Sequence, residues 1–186
     1  FDTDGRILLD RFEEHCSFLV DAGCRGVVVC GSLGEYASLT PDERRQLVTA
    51  AVRTVGDRAL VTVGTGAYNG VQAREHAEAA KAAGAKAVMS LPPTGYRAAT
   101  ADELLAHFRA IAAAGLPMVV YNNPSDTGID MPPAFLARLE QGRGEGDGGE
   151  EAARAEFVEG GPPGKDGDLV DRAGAHELRD VPGGRP

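Results

Sequence analysis

The sequence predicts an α/β fold built from repeated βα units, and three observations carry that prediction. Four short Val-rich apolar runs, at 27–30, 60–63, 87–91 and 118–121, begin about thirty residues apart. None shows the polar alternation of a half-exposed strand, which fits parallel strands buried on both faces. Gly31-Ser32, Gly64-Thr65-Gly66, Pro92-Pro93 and Tyr121-Asn122 each follow directly on the C-terminal end of one run. The period alone suits a doubly wound sheet or a (β/α)8 barrel. Unusual residues gathered at one end of every strand favour the barrel, where those ends converge on a site. The expected architecture is an incomplete (β/α)8 TIM barrel of about four βα units.

The helices between the runs announce their own starts. Residues 7–20 form an amphipathic pattern that Gly23 ends. Thr40-Pro41-Asp42-Glu43 supplies an N-cap, a proline at the first helical position and a glutamate that completes a capping box. Leu47, Val48, Ala51, Val52 and Val55 then give the apolar face. A third helix covers 71–83, with Gly84 as its left-handed terminator. Thr100 and Glu103 repeat the capping box ahead of Leu104, Leu105, Phe108 and Ile111. A fifth helix starts near Pro132 and carries Phe135, Leu136 and Leu139.

Beyond residue 140 the pattern changes. Residues 141–186 contain 12 of the 25 glycines and 4 of the 11 prolines, with few sizeable apolar side chains. Such a segment cannot bury enough apolar surface to offset the entropy of ordering it. Two segments are therefore expected: a partial barrel over 1–140 and a disordered or frameshift-derived tail over 141–186, with no strand after Glu140. Because the first pattern is a helix, the strand that should precede it is expected ahead of Phe1.

Composition removes several function classes. The net charge is −9 without a Lys/Arg cluster, a poor match to nucleic acid or an anionic membrane surface. No apolar run approaches the length of a membrane-spanning helix. Cys16, Cys24 and Cys30 have no CxxC spacing and read as buried, reduced thiols of a cytoplasmic protein. His15, His76 and His107 fall in helical patterns without metal-ligand spacing, so neither a metal nor an organic cofactor is expected.

Three motifs are candidates for chemistry. In Gly31-Ser-Leu-Gly-Glu35, two glycines around a hydroxyl could turn the backbone and present N–H groups to a carboxylate; an ordinary βα turn would read the same way. Gly64-Thr-Gly-Ala-Tyr-Asn69 lacks the third glycine of a dinucleotide fingerprint, and no GxxxxGK[ST] phosphate loop is present. Tyr121 ends a buried strand, either as a proton-transfer group or as a packing residue, and Asn122-Asn123-Pro124 after it reads as a turn in either case.

Taken in order over 1–140, these motifs resemble the dihydrodipicolinate synthase / N-acetylneuraminate lyase family of class I, pyruvate-type aldolases. The resemblance runs from Gly31-Ser-Leu-Gly-Glu35 and Ser38-Leu39-Thr40 with Glu43-Arg44, through Gly64-Thr65-Gly66, to Leu91-Pro92-Pro93 with Tyr96. It continues with His107-Phe108 and Leu116-Pro117 and ends on Tyr121-Asn122-Asn123-Pro124. It implies a lyase, aldolase or dehydratase that joins a lysine amine to a 2-oxo acid as an iminium. The backbone around Gly31, Ser32 and Leu33, with the Ser32 hydroxyl, would hold the substrate carboxylate. Tyr121 would transfer protons, and Tyr96 matches a tyrosine that in some members reaches a neighbouring subunit's site. A homotetramer is implied as well.

Three departures qualify the resemblance. Leu33 replaces a second threonine of the synthases' proton relay, and Asp126 replaces an arginine that binds a second carboxylate; both argue against a true dihydrodipicolinate synthase. The imine-forming lysine, implied on the next strand near 149, is absent from Gly148-Gly149-Glu150-Glu151. Abrupt loss of pattern into a Gly/Arg/Ala/Pro-rich run suggests a shift of reading frame near 140–142. The alternative reading is a catalytically dead remnant, or a pseudoenzyme that only binds carboxylates.

Overall fold

The computed structural model describes residues 1–95, 99–141 and 155–159, the last as backbone. The elements run α1 (Leu9–Asp21), β1 (Gly26–Val29), α2 (Pro41–Val55), β2 (Leu60–Gly64), α3 (Gly70–Ala83), β3 (Ala87–Ser90), α4 (Ala101–Ala112), β4 (Met118–Asn122), α5 (Pro124–Thr127), α6 (Pro133–Gln141) and β5 (Ala155–Glu159). All strand pairs are parallel and the spatial order is β1-β2-β3-β4-β5. A doubly wound sheet reverses its order at a switch point. Strictly sequential neighbours are the order of a barrel wall.

Capping decides where the helices start. The Thr40 side chain accepts from the Glu43 amide at 3.3 Å while the Glu43 carboxylate accepts from the Thr40 amide at 2.8 Å. Thr100 and Glu103 repeat the arrangement at 3.3 and 2.7 Å. Each reciprocal pair satisfies amides that the first helical turn would leave without partners, worth about 1 kcal/mol for the threonine alone. The α3 N-cap is Asn69, which accepts from the Gln72 amide, and Gly84 ends that helix at φ 94 as the sequence predicts.

The core lies between the sheet and its helices. Val27, Val29, Val61, Val63, Val88 and Val120 pack with Val48, Val55, Ala73, Ala77, Phe108 and Ile111. Phe108 is fully buried and stacks at a tilt on Phe135, which ties α4 to α6. The other sheet face is open beside β1, where Val28 is 53 % and Leu60 49 % exposed. In register, Val28 faces Thr62 and Gly26 faces Leu60, so both exposed residues belong to the face that a closed barrel would enclose.

The structure corrects three expectations. A fifth strand follows Glu140: β5 pairs parallel with β4 over its whole length, from Met118↔Ala155 to Asn122↔Glu159. Its sequence, Ala-Glu-Phe-Val-Glu, is short and flanked by charge and glycine, and its order comes from the free edge of β4 rather than from a local pattern. The strand next to Tyr121 is therefore at 155–159 instead of near 149. The rest of the expected tail, 142–154 and 160–186, lies outside the described residues. Cys24 is exposed, because it follows the α1 terminator Gly23 in a surface turn, while Cys16 and Cys30 are buried as expected. A short helix, α5, also occupies what reads as a simple turn after Tyr121.

Candidate active site at the strand ends

The segments after β1, β2, β3 and β4 all leave the same edge of a parallel sheet, so their motifs share one end of the molecule. After β1 the chain turns through Cys30 at φ 55 and, past a tight loop, Glu35 at φ 53. The loop closes on itself through Glu35 N to Ser32 O at 3.1 Å and Tyr36 N to Gly31 O at 3.4 Å. Sequence reasoning gave the turning to the glycines, whereas two non-glycine residues carry the left-handed backbone. Gly34 is needed for space instead: a Cβ there would lie 3.2 Å from Gly31 N and 3.3 Å from Cys30 N. Ser32 and Leu33 project outward, Leu33 being 102 % exposed. Among the described residues, the amides of Ser32 and Leu33 donate to no carbonyl or side chain.

The Gly64-Thr65-Gly66 segment binds strand ends together. A Cβ on Gly64 would fall on the Cys30 carbonyl, and one on Gly66 would fall on the Tyr36 ring. Thr65, 1 % exposed, donates its amide to Met89 O at 2.9 Å and shares a hydrogen bond with the Ser90 hydroxyl at 2.9 Å. These roles are structural, which leaves little for a phosphate loop to use.

Arg44 joins the loops after β1 and β2. It is 8 % exposed, donates to Tyr36 O at 2.8 Å and Gly66 O at 3.0 Å, and lies 5.1 Å over the Tyr36 ring. The sequence offers Arg44 only as one letter of a motif, since an arginine near a helix start normally faces water. Its charge opposes the effect of burial on Cys30, whose thiol burial nonetheless pushes up to about 11.

A cavity of about 840 Å³ lies between α2 and α3, lined by Tyr36, Arg44, Tyr68, Gln72 and His76 among others. His76 is pushed down to about 4, first by burial and then by the Arg44 and Arg45 guanidiniums. His107, buried with a ring nitrogen 2.9 Å from Leu91 O, is lowered mainly by burial. A histidine lowered on folding takes up its proton in the unfolded state first. Stability is then complete above the unfolded pKa near 6.5 and falls as pH drops towards 4. Urea midpoints should decline across that window, and His76→Gln should flatten part of the decline. An identical pH profile for the variant would show that His76 does not titrate this way.

At the end of β4, Tyr121 is half-buried and its oxygen accepts from Asn123 Nδ2 at 3.3 Å. The same amide donates to Asp126 Oδ2 at 2.7 Å. Asn122, 3 % exposed, points the other way and pins the following loop: its Oδ1 accepts from Met131 N at 3.1 Å and its Nδ2 donates to Asp130 at 3.0 Å. The sequence suggested Asn122-Asn123-Pro124 only as a turn. Tyr96 lies outside the described residues. Among the described residues no group of His, Cys, Asp or Glu could hold a metal, and no helix is long and apolar enough to cross a membrane.

The two lysines among the described residues, Lys81 and Lys86, are placed away from this edge. Lys81 is on α3 and donates to Ala114 O at 3.0 Å, and Lys86 immediately precedes β3, at its N-terminal end. Strand β5, beside Tyr121, contains no lysine.

Comparison with known proteins agrees with the order of these parts. The 4-hydroxy-tetrahydrodipicolinate synthase of Desulfotalea psychrophila is 36% identical over 137 residues, covering 73% of this chain and 46% of that protein. YagE, a prophage protein from E. coli K12 solved in complex with pyruvate, matches with a TM-score of 0.72 at 29% identity, over 76% of this chain and 48% of that one. A catalytic lysine mutant of the Ruminococcus gnavus sialic acid aldolase shares the fold at a TM-score of 0.77 and 19% identity, over 88% and 51%. The chain spans about half the length of the curated relatives it matches. A family model, the dihydrodipicolinate synthetase family, matches residues 1–144. With the sequential parallel sheet, the strand-end loops and Tyr121 in that register, the chain belongs to the dihydrodipicolinate synthetase family.

Proposed function

We propose that this chain carries the substrate-binding half of a Schiff-base lyase, aldolase or dehydratase acting on a pyruvate-type 2-oxo acid. The observation that carries the reading is Tyr121, half-buried at the C-terminal end of β4 with its oxygen held by Asn123, on the same sheet edge as the Ser32 loop. The Ser32 and Leu33 amides would receive the substrate carboxylate, as preorganised N–H donors do for anions. Tyr121 would pass a proton to or from the carbon or oxygen next to the imine. The relative solved with pyruvate supports the substrate class.

A dihydrodipicolinate synthase activity fits less well. Asp126 brings negative charge to the rim where those synthases bind a second carboxylate, and Leu33 is turned to solvent rather than towards Tyr121. Among the described residues no lysine stands at the strand ends, so on this reading the chain binds its 2-oxo acid without condensing with it. Thermal unfolding tests the binding. Pyruvate at ten times its dissociation constant should stabilise the chain by about 1.4 kcal/mol, raising the midpoint by a few degrees over chloride at equal ionic strength. No rise in pyruvate up to solubility-limited concentration would favour a remnant that binds nothing.

A further inference from the structure

Asn123 stands between two groups that would otherwise be independent, the Tyr121 phenol and the Asp126 carboxylate. Its amide nitrogen has two hydrogens, and the two acceptors, at 3.3 and 2.7 Å, can take one each. The residue is itself fixed: its backbone carbonyl accepts from Asp126 N at 3.2 Å, Thr127 N at 3.0 Å and Thr127 Oγ1 at 2.9 Å. Asp126 is exposed, and the shorter of the two hydrogen bonds runs from the amide to its carboxylate.

We propose that Asn123 is a positioning residue that sets the direction of the Tyr121 hydroxyl, with Asp126 holding Asn123 in place. A phenol O–H lies in the plane of its ring, so the hydrogen has two preferred directions. A donor arriving on one side occupies the in-plane lone pair there and repels a hydrogen turned the same way. The Tyr121 hydrogen is therefore directed away from Asn123. In the loop after β1, Leu33 is fully solvent-exposed and offers no hydroxyl. The orientation that a hydroxyl relay through position 33 would have supplied is thus set from the β4–α5 turn. This rests on the reading of Tyr121 as the proton-transfer group. The hydrogen-bonded bridge itself can be tested without any ligand.

The chain has four tyrosines, so labelling with ζ-13C tyrosine gives four ring-carbon resonances, and Tyr121→Phe identifies the one that belongs to Tyr121. Asn123→Asp replaces the donating amide with an acceptor of the same shape. It should move the Tyr121 resonance while the other three stay. Asp126→Asn still offers Asn123 an oxygen and should leave Tyr121 near its original position; Asp126→Leu should move it in the same sense as Asn123→Asp. A Tyr121 resonance unmoved in Asn123→Asp and Asp126→Leu would overturn the proposal. If Asn123→Asp shifts all four resonances, its effect is a general disturbance, and the surface pair Asp126→Asn and Asp126→Leu decides: equal positions in the two overturn it. These spectra are recorded without pyruvate. Failure of pyruvate to stabilise the chain would count against the binding reading and leave the bridge standing.

Discussion

Borohydride added to this chain in saturating pyruvate should leave every lysine unmodified, as read by intact mass and peptide mapping. Reductive trapping needs an amine that can attack the ketone while the carboxylate is held at the strand ends. Lys81 is tied to Ala114 O on the helical layer, and Lys86 precedes β3 at the opposite edge of the sheet from Tyr121. Pairing of β5 with β4 places residue 158 in register with Tyr121, and that residue is valine. The difference from a lysine-bearing relative is all or none, because no neighbouring side chain among the described residues substitutes for the missing nucleophile. A pyruvate adduct mapped to any lysine would show that the chain supplies one, and Lys165, outside the described residues, is the residue to inspect. The coding sequence gives a second check on the same absence. If the frame shifts near 140–142, another frame should encode a strand that carries a lysine; if none does, the frameshift idea fails.

Much of this fold is legible because its signals are local. Thr40 and Thr100 start helices through contacts three residues away, and Gly84 ends one with its own backbone angle. The valine runs locate β1 to β4 to within a residue or two. Strand β5 is different: nothing within 155–159 commits it to the sheet, and its order depends on the unpaired edge of β4, more than thirty residues earlier in the chain. The site divides in the same way. Tyr121 and Ser32 can be found because they follow strands. The left-handed turns at Cys30 and Glu35, the Arg44 bridge between two loops and the Asn123 bridge depend on neighbours brought together by folding. A glycine in the sequence records only that a side chain is missing. Whether the reason is backbone angle or space is settled by what lies opposite.

Gly64 is the position where that distinction has the largest consequence, and Gly64→Ala should cost about 3 kcal/mol or more of stability. The added Cβ would sit 2.1 Å from the Cys30 carbonyl oxygen, 2.7 Å from its carbon and 3.0 Å from Gly31 N. All three are backbone atoms, so no side chain can rotate out of the way. Neither strand can retreat cheaply. Val27, Val28 and Val29 are locked in register with Val61, Thr62 and Val63, and Thr65 is bonded to Met89 across β3. Cys30 already holds a left-handed backbone that a residue with a side chain resists. Gly31→Ala is the matched control, although both glycines stand in the motifs that identify the site. Its Cβ would meet only the Met89 and Val28 side-chain ends, at 3.5 and 3.6 Å, and should cost less than about 1 kcal/mol. Urea midpoints of the two variants measure the difference, and equal stability would refute the steric role given to Gly64. Where enough Gly64→Ala remains folded, the relief of the clash must displace Cys30 and Gly31. The Ser32 loop would move with them, so pyruvate stabilisation should fall in the folded fraction as well.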